Sequence, residues 1–482
     1  MATMYSAAVE VISKETIKPK TPTLYHFKNF NLSLLDQYYP PFYIPTILFY
    51  PATVANNTVS SNHHDDLDLL KSSLSETLVH FYPMAGRMKD NIVVDCNDQG
   101  IDFYQVKIKC KMCDFMTQTD VPLSQLLPSE VVSACVAKEA QVVVQVNMFD
   151  CCGTAISVSI SHKIADAATM STFIRSWASN TKTSRSGGAI ADAVTTNQKF
   201  FPCFDSASLF PPSEQLPSPA GMPVPPIPVS CILDDTVDDK TVSKRFVFDL
   251  VKITSVREKI QELMHDNYKC RRPTRVEVVT SLIWMSVMKS TLAGFLPVVN
   301  HAVNLRKKMY PPLQDVSFGN LSLSVTALLP ATTTMKTTIN EANKTINSTS
   351  NEVQLLLHEL HDLITQLRSA IDEVKGDKGC LEKLIQHFVS GYEYASTERK
   401  NDVEYEMITL LMTSWCRMGF YETDFGWGKP VWVTTDPNIK PNKNFIFMND
   451  TRCGEGIEVW ACFLEDDMAK FELHLSEILE LI

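Results

Sequence analysis

The sequence predicts a mixed α/β protein of two lobes, and three observations carry that prediction. Strand-like alternation and helical periodicity are interleaved along the chain, a proline-rich stretch interrupts them, and a clean strand pattern restarts beyond it. With 482 residues and 45% apolar content the chain can bury a large core, and length alone allows two large lobes or three smaller ones.

The N-terminal lobe is expected over residues 1–185. Asp65 to Phe81 carries Leu67, Leu69, Leu70, Leu74 and Leu78 at helical spacing. Gln141 to Phe149 sets Val142, Val144, Val146 and Met148 on one face of a strand. Asp150-Cys151-Cys152-Gly153 supplies a turn, and Thr154 to Ser161 alternates again with Ile156, Val158 and Ile160 inward. Then the period changes: Met170, Phe173, Ile174 and Trp177 fall at i, i+3, i+4 and i+7, the stripe of a buried helix face. After the polar run Ser179 to Gly188, residues 186–235 hold Pro202, Pro211, Pro212, Pro217, Pro219, Pro223, Pro225, Pro226 and Pro228. Proline fixes φ and removes a donor, so this stretch reads as an extended crossover. The C-terminal lobe, over residues 236–482, opens with the alternating strand Ser243 to Leu250 and contains a helical stretch from Arg275 to Lys289 behind Thr274. Thr332 to Asn351, rich in Thr, Asn and Ser, reads as a surface connection.

Composition excludes several classes. The formal net charge of −11 is the wrong sign for a nucleic-acid footprint or for adhesion to anionic membranes. No secretory signal is expected, because Met1 to Pro19 has no continuous apolar stretch, and no membrane span, because Pro40, Pro41, Pro45 and Pro51 break the most apolar early segment. Thirteen cysteines, an odd number scattered from Cys96 to Cys462, suit reduced thiols in a cytoplasmic protein. Cys110 and Cys113 form one C-x-x-C without the second pair that a zinc site needs. His358 and His361 lack the H-E-x-x-H spacing, His63-His64-Asp65-Asp66 reads as a polar lead into a helix, and no metal is expected. The chain has no G-x-S-x-G, P-loop or G-x-G-x-x-G motif.

Two segments carry chemistry. His162 stands at the strand-to-helix switch, with Asp166 four residues later. A neutral imidazole there can take a proton from a hydroxyl or thiol as that group attacks a carbonyl, an effect worth roughly 10²–10⁴ in rate. Taken alone, the same pentad is also what a core histidine beside an N-cap aspartate looks like. The second segment is Asp424-Phe425-Gly426-Trp427-Gly428, whose glycines specify a backbone path that residues with Cβ resist. By itself it is equally a tight structural turn.

Together, in this order, H-x-x-x-D and D-F-G-W-G resemble the BAHD family of plant acyl-CoA-dependent acyltransferases. The segments His80 to Arg87, Val278 to Trp284, Asn304 to Lys308 and Phe318-Gly319-Asn320 agree, and the resemblance spans essentially the whole chain. Stretches such as NHHDDLDLLKSSLS from Asn62 and SHKIADAATMSTFIRSWAS from Ser161 resemble the benzylisoquinoline alkaloid O-acetyltransferases of that family. The resemblance implies a chloramphenicol-acetyltransferase-like fold of mixed sheets with flanking helices and a central channel. It further implies a monomer with no bound cofactor, using acetyl-CoA as co-substrate and a morphinan-type alkaloid alcohol as acceptor. Alternatives within it are acetylation at a 13-hydroxyl of the noscapine branch, a malonyl or coumaroyl donor, and an inactive ligand-binding member.

Carried over residue by residue, His162 is the general base and Asp166 points away from substrate, with Arg306 as its expected partner. Asp424 is read in the family as catalytic or as loop-holding, and its Gly-Trp-Gly neighbours favour the loop. Thr413 and Trp415 match positions of oxyanion donors. For the phosphates of CoA the candidates are Thr274, whose helix amides could face an anion, with Arg271, Arg272 and Arg275, and the run Arg306, Lys307, Lys308. Ala167 stands where the family often has glycine, which is expected to shift the helix start slightly.

Overall fold

The computed structural model describes residues 8–52, 54–55, 58–59, 63–118, 121–133, 140–187, 200–213, 240–263, 271–291, 295–328, 349–376, 406–439 and 443–482. The chain divides into two compact units. The first comprises residues 1–222, 313–322 and 417–440, and the second 223–312, 323–416 and 441–482. The expected boundary is therefore corrected in one respect. Two segments from the C-terminal half, one with Phe318-Gly319-Asn320 and one with Asp424 to Gly428, belong to the first unit. Of the expected crossover, residues 188–199 and 214–235 lie outside the described residues, as does most of Thr332 to Asn351.

In the first unit, strands β1 (Val9–Ile17), β2 (Tyr43–Tyr50), β3 (Ile101–Ile108), β4 (Val142–Phe149) and β5 (Thr154–Ser161) join a short strand Trp432–Thr434 in one sheet. Its order is β1-β3-β4-β5-β2 and then Trp432–Thr434, antiparallel except for the β3–β4 pair. The alternation read for β4 and β5 understates their burial, because both faces are covered. Val143 and the polar Gln145, Asn147, Ser157 and Ser159 are buried as well. Part of the polar face is satisfied internally: Gln145 Nε2 donates to Asn147 Oδ1 (2.8 Å), and Asn147 Nδ2 to the Leu126 carbonyl (3.1 Å). Helices α1 (Leu34–Tyr38), α2 (His63–His80) and α3 (Ala167–Arg185) complete the part that matters for the site. The predicted stripe of α3 is fully buried, and the Trp177 indole donates to the Leu70 carbonyl of α2 (3.0 Å).

The second unit has a six-stranded sheet of β6 (Thr241–Phe248), β7 (Phe295–Asn304), β8 (Ser322–Ala327), β9 (Glu406–Ser414), β10 (Phe445–Asp450) and β11 (Ile457–Leu464). The order is β6-β11-β10-β9-β7-β8, with β9 parallel to both of its neighbours. Helix α4 (Arg275–Ser290) is buried along nearly its whole length, and packs with α5 (Thr349–Glu373) and α6 (Glu465–Leu481). Among the described residues no helix is long and apolar enough to cross a membrane, and every described cysteine is a free thiol.

Candidate active site

The β5 ladder runs one residue past the strand, since the His162 N–H donates to the Phe42 carbonyl (2.7 Å). The chain then turns, and Asp166 opens α3 as its N-cap. One carboxylate oxygen accepts the Thr169 N–H (2.9 Å) and the other the Leu321 N–H (3.0 Å). Thr169 adds a second tie, its hydroxyl donating to the Gly319 carbonyl (2.9 Å). The first turn of α3 thus grips residues 319–321. The helix begins at Ala167 with its Asp166 cap intact.

That grip brings Asn320 to the histidine. Asn320 Oδ1 lies 3.0 Å from His162 Nδ1, and Asn320 Nδ2 donates to the His162 carbonyl (2.7 Å) and to Asp36 Oδ1 (3.0 Å). With the amide nitrogen held by two acceptors, Asn320 turns its oxygen to the ring. Nδ1 is therefore the donor, and Nε2 keeps the lone pair. Tyr39 stacks on the imidazole (centroids 4.3 Å apart, 20° between planes), and Phe42 meets it edge-on at 5.3 Å. Desolvation pushes the His162 pKa below its ordinary 6.5, against weaker pulls from its backbone contacts, Asp166 and Asn320. The ring is neutral at neutral pH. Its neighbour Lys163 is buried and donates to the Gln37 carbonyl (2.7 Å), and burial lowers that ammonium to about 8.

Asp424 is placed elsewhere. Oδ1 accepts the N–H groups of Gly426 and Gly428 (both 2.8 Å), and Oδ2 receives Lys182 Nζ (2.6 Å). Gly426 and Gly428 have φ of 101° and 107°, the left-handed region, so the carboxylate ties a loop that only glycine forms cheaply. Phe425 beside it is fully buried against Trp177 (4.9 Å, T-shaped). Lys182 is near the end of α3, whose 19 residues span about 28 Å, whereas His162 precedes its first turn. The structure does not bring Asp424 to the histidine.

The expected phosphate-binding residues are redistributed. Thr274 caps α4 in a capping box: its hydroxyl accepts the Glu277 N–H (3.2 Å), and Glu277 accepts the Thr274 N–H (2.7 Å). Glu277 also pairs with Arg271 (2.7 Å) and Arg368 (2.9 Å), so the helix terminus already faces a carboxylate. Arg275 is turned inward, donating to Asp450 (3.0 Å) and the Gly456 carbonyl (3.1 Å), and Arg306 is 1% exposed. Of the expected phosphate-binding residues, Arg275 and Arg306 are thus turned inward, while Thr274 is exposed with Glu277 across its helix terminus. Lys307 is exposed and Lys308 half-buried. A bridge between Met309 and Gly376 sets Lys308 beside Lys375. Burial, then Lys375 and Arg271, lower the Lys308 ammonium, against opposite pulls from Asp372 and Glu277, which pair with those two cations. In β9, Thr413 is half-buried, and the Trp415 N–H beyond it is taken by the Met448 carbonyl (2.8 Å).

A family model described as the Transferase family matches residues 7–478. The chain belongs to this family, the BAHD acyltransferases. The acyltransferase is 77% identical to salutaridinol 7-O-acetyltransferase of Papaver somniferum over 100% of both chains. It is 64% identical, again over 100% of both, to (13S,14R)-1,13-dihydroxy-N-methylcanadine 13-O-acetyltransferase AT1 of the same species. Its structure is similar to that of vinorine synthase, with a TM-score of 0.73 at 31% identity over 98% of each chain. A TRI101 from F. sporotrichioides, crystallised with coenzyme A and T-2, shares the fold at 14% identity, with a TM-score of 0.62 over 92% of this chain and 96% of that one.

Three residues of this acyltransferase's site carried no role in the sequence. Asn320 stood there only as part of Phe318-Gly319-Asn320, and Tyr39 and Asp36 not at all. Ser33 and Asp36 bear the S-x-x-D spacing of a capping box, and that was the available signal.

Proposed function

We propose that this chain transfers the acetyl group of acetyl-CoA directly to a hydroxyl of a benzylisoquinoline-type alkaloid, with His162 as the general base. The observation that carries the reading is the contact of His162 Nδ1 with Asn320, which leaves Nε2 of a neutral ring as the base. The alcohol proton passes to Nε2 as the oxygen attacks the thioester carbonyl. The tetrahedral intermediate then collapses, the C–S bond breaks, and the imidazolium returns its proton to the departing thiolate. Asp166 serves this step by holding residues 319–321, and Asp424 by holding its loop. The phosphates of the donor fit the exposed Lys307 and the half-buried Lys308 better than the inward Arg275 and Arg306.

Full-length identity of 77% supports salutaridinol as acceptor, and 64% identity supports a 13-hydroxyl as the second arm of the test. The reading includes a monomer in the cytoplasm, to be checked by size exclusion and cell fractionation. The purified enzyme is incubated with acetyl-, malonyl- or coumaroyl-CoA and either alkaloid alcohol, with mass spectrometry of the products. Acetylated salutaridinol that disappears in His162→Ala supports the reading, and preference for another donor or acceptor replaces it.

A further inference from the structure

We infer that Asp36 is a positioning residue that sets which nitrogen of His162 carries the proton, acting through Asn320. The inference rests on His162 being the base and extends it. Asp36 is fully buried and receives four donors: the Ser33 N–H (2.8 Å) and hydroxyl (2.6 Å), and the Asn320 N–H (2.6 Å) and Nδ2 (3.0 Å). Because Oδ1 already accepts the Asn320 backbone N–H, it is an acceptor for the side chain as well. A flipped Asn320 would set its oxygen against the Asp36 oxygen and the His162 carbonyl, three acceptors with no proton among them. That orientation is closed, so Asn320 offers only Oδ1 to the ring, and Nδ1 must donate. The proton position on the histidine is thus dictated two side chains away.

Two features show that this carboxylate does more than cap a helix. A capping box works at a solvated helix end, yet here burial drives the Asp36 pKa up despite its donors, a cost that capping alone does not call for. Gly319, with φ of 115°, also lets the 318–320 segment lie directly on it: a Cβ there would sit 3.2 Å from both carboxylate oxygens.

The test reads the tautomer itself. Imidazole ¹⁵N spectra of the full-length enzyme, with the His162 signals identified by their loss in His162→Ala, are expected to show a protonated Nδ1 and a bare Nε2. In Asp36→Asn an amide replaces the dictating acceptor, and Nε2–H signal is expected to appear. With it kcat falls roughly 10²-fold while KM for acetyl-CoA stays within about twofold, the split expected of a mis-set tautomer. The half-point of the pH–rate profile moves lower, because the ring loses a partner that favours its charged form. If Asp36→Asn fails to fold, Gly319→Ala and the wild-type spectrum decide. A wild-type Nε2–H tautomer, or a folded variant with unchanged kcat and tautomer, overturns the inference. Turnover surviving in His162→Ala would overturn the base assignment instead, and leave the tautomer result to be judged separately.

Discussion

A histidine that acts as a base near neutral pH must be uncharged and must present one particular nitrogen. Both conditions are met at His162 by neighbours rather than by the ring itself: desolvation removes its charge, and Asn320 Oδ1 accepts a hydrogen bond from Nδ1–H. The sign of the pH dependence follows. The active form is the deprotonated one, so kcat/KM should be flat above neutrality. It should fall as pH drops through a half-point below the ordinary 6.5. A half-point above 6.5 would contradict the desolvated site. Replacing the ring in His162→Ala should lower kcat roughly 10²–10⁴-fold, with the melting temperature little changed.

At the level of elements, α3 has different duties at its two ends. Its first turn holds residues 319–321 through Asp166 and Thr169, and its last turns meet Asp424 through Lys182. The bonds of Asp424 differ in worth. Its two backbone donors sit in a loop that needs left-handed glycines, whereas the Lys182 side chain is 58% exposed and solvent-screened. Asp424→Ala should therefore cost about 2–3 kcal/mol in urea unfolding, and Lys182→Ala less than about 1 kcal/mol. If Asp424→Asn instead abolished turnover in a fully stable protein, a direct catalytic role would be restored. In the second unit, Arg275→Gln should destabilise by about 3 kcal/mol, since it removes the guanidinium from the Asp450 carboxylate and the Gly456 carbonyl, without altering KM for acetyl-CoA.

Over the whole molecule, an acidic chain that binds a polyanionic donor has to concentrate positive charge locally. The net charge is −11, while in the second unit Lys308 lies near Lys375 and Arg271, which pair with Asp372 and Glu277, and next in sequence to the exposed Lys307. Lys308→Glu with Lys375→Glu should raise KM for acetyl-CoA about tenfold at low salt and leave kcat at saturation nearly unchanged. Because the attraction is screened, raising ionic strength should narrow that gap between variant and wild type. A KM insensitive to both changes would move the phosphate site elsewhere.

The sequence by itself determined the elements and the candidate base. Strand alternation at Ile156 to Ile160, the helical stripe at Met170 to Trp177 and the H-x-x-x-D junction between them are local patterns, and local sterics suffice to express them. The glycines of Asp424 to Gly428 likewise declared a loop, because left-handed backbone is a property of single residues. Only the tertiary structure decided what surrounds the histidine and which cations face outward. Asp36 and Asn320 are 284 residues apart, and Asn320 is 158 from His162, so no periodicity links them. Arg275 and Lys308 look alike in a sequence, but the first is buried on Asp450 and the second is half-buried among Lys375, Arg271 and the carboxylates that pair with them. A side chain's charge is written in its formula. Whether that charge is paired, buried or presented depends on long-range packing, which brings distant residues within hydrogen-bond reach and excludes water from around them.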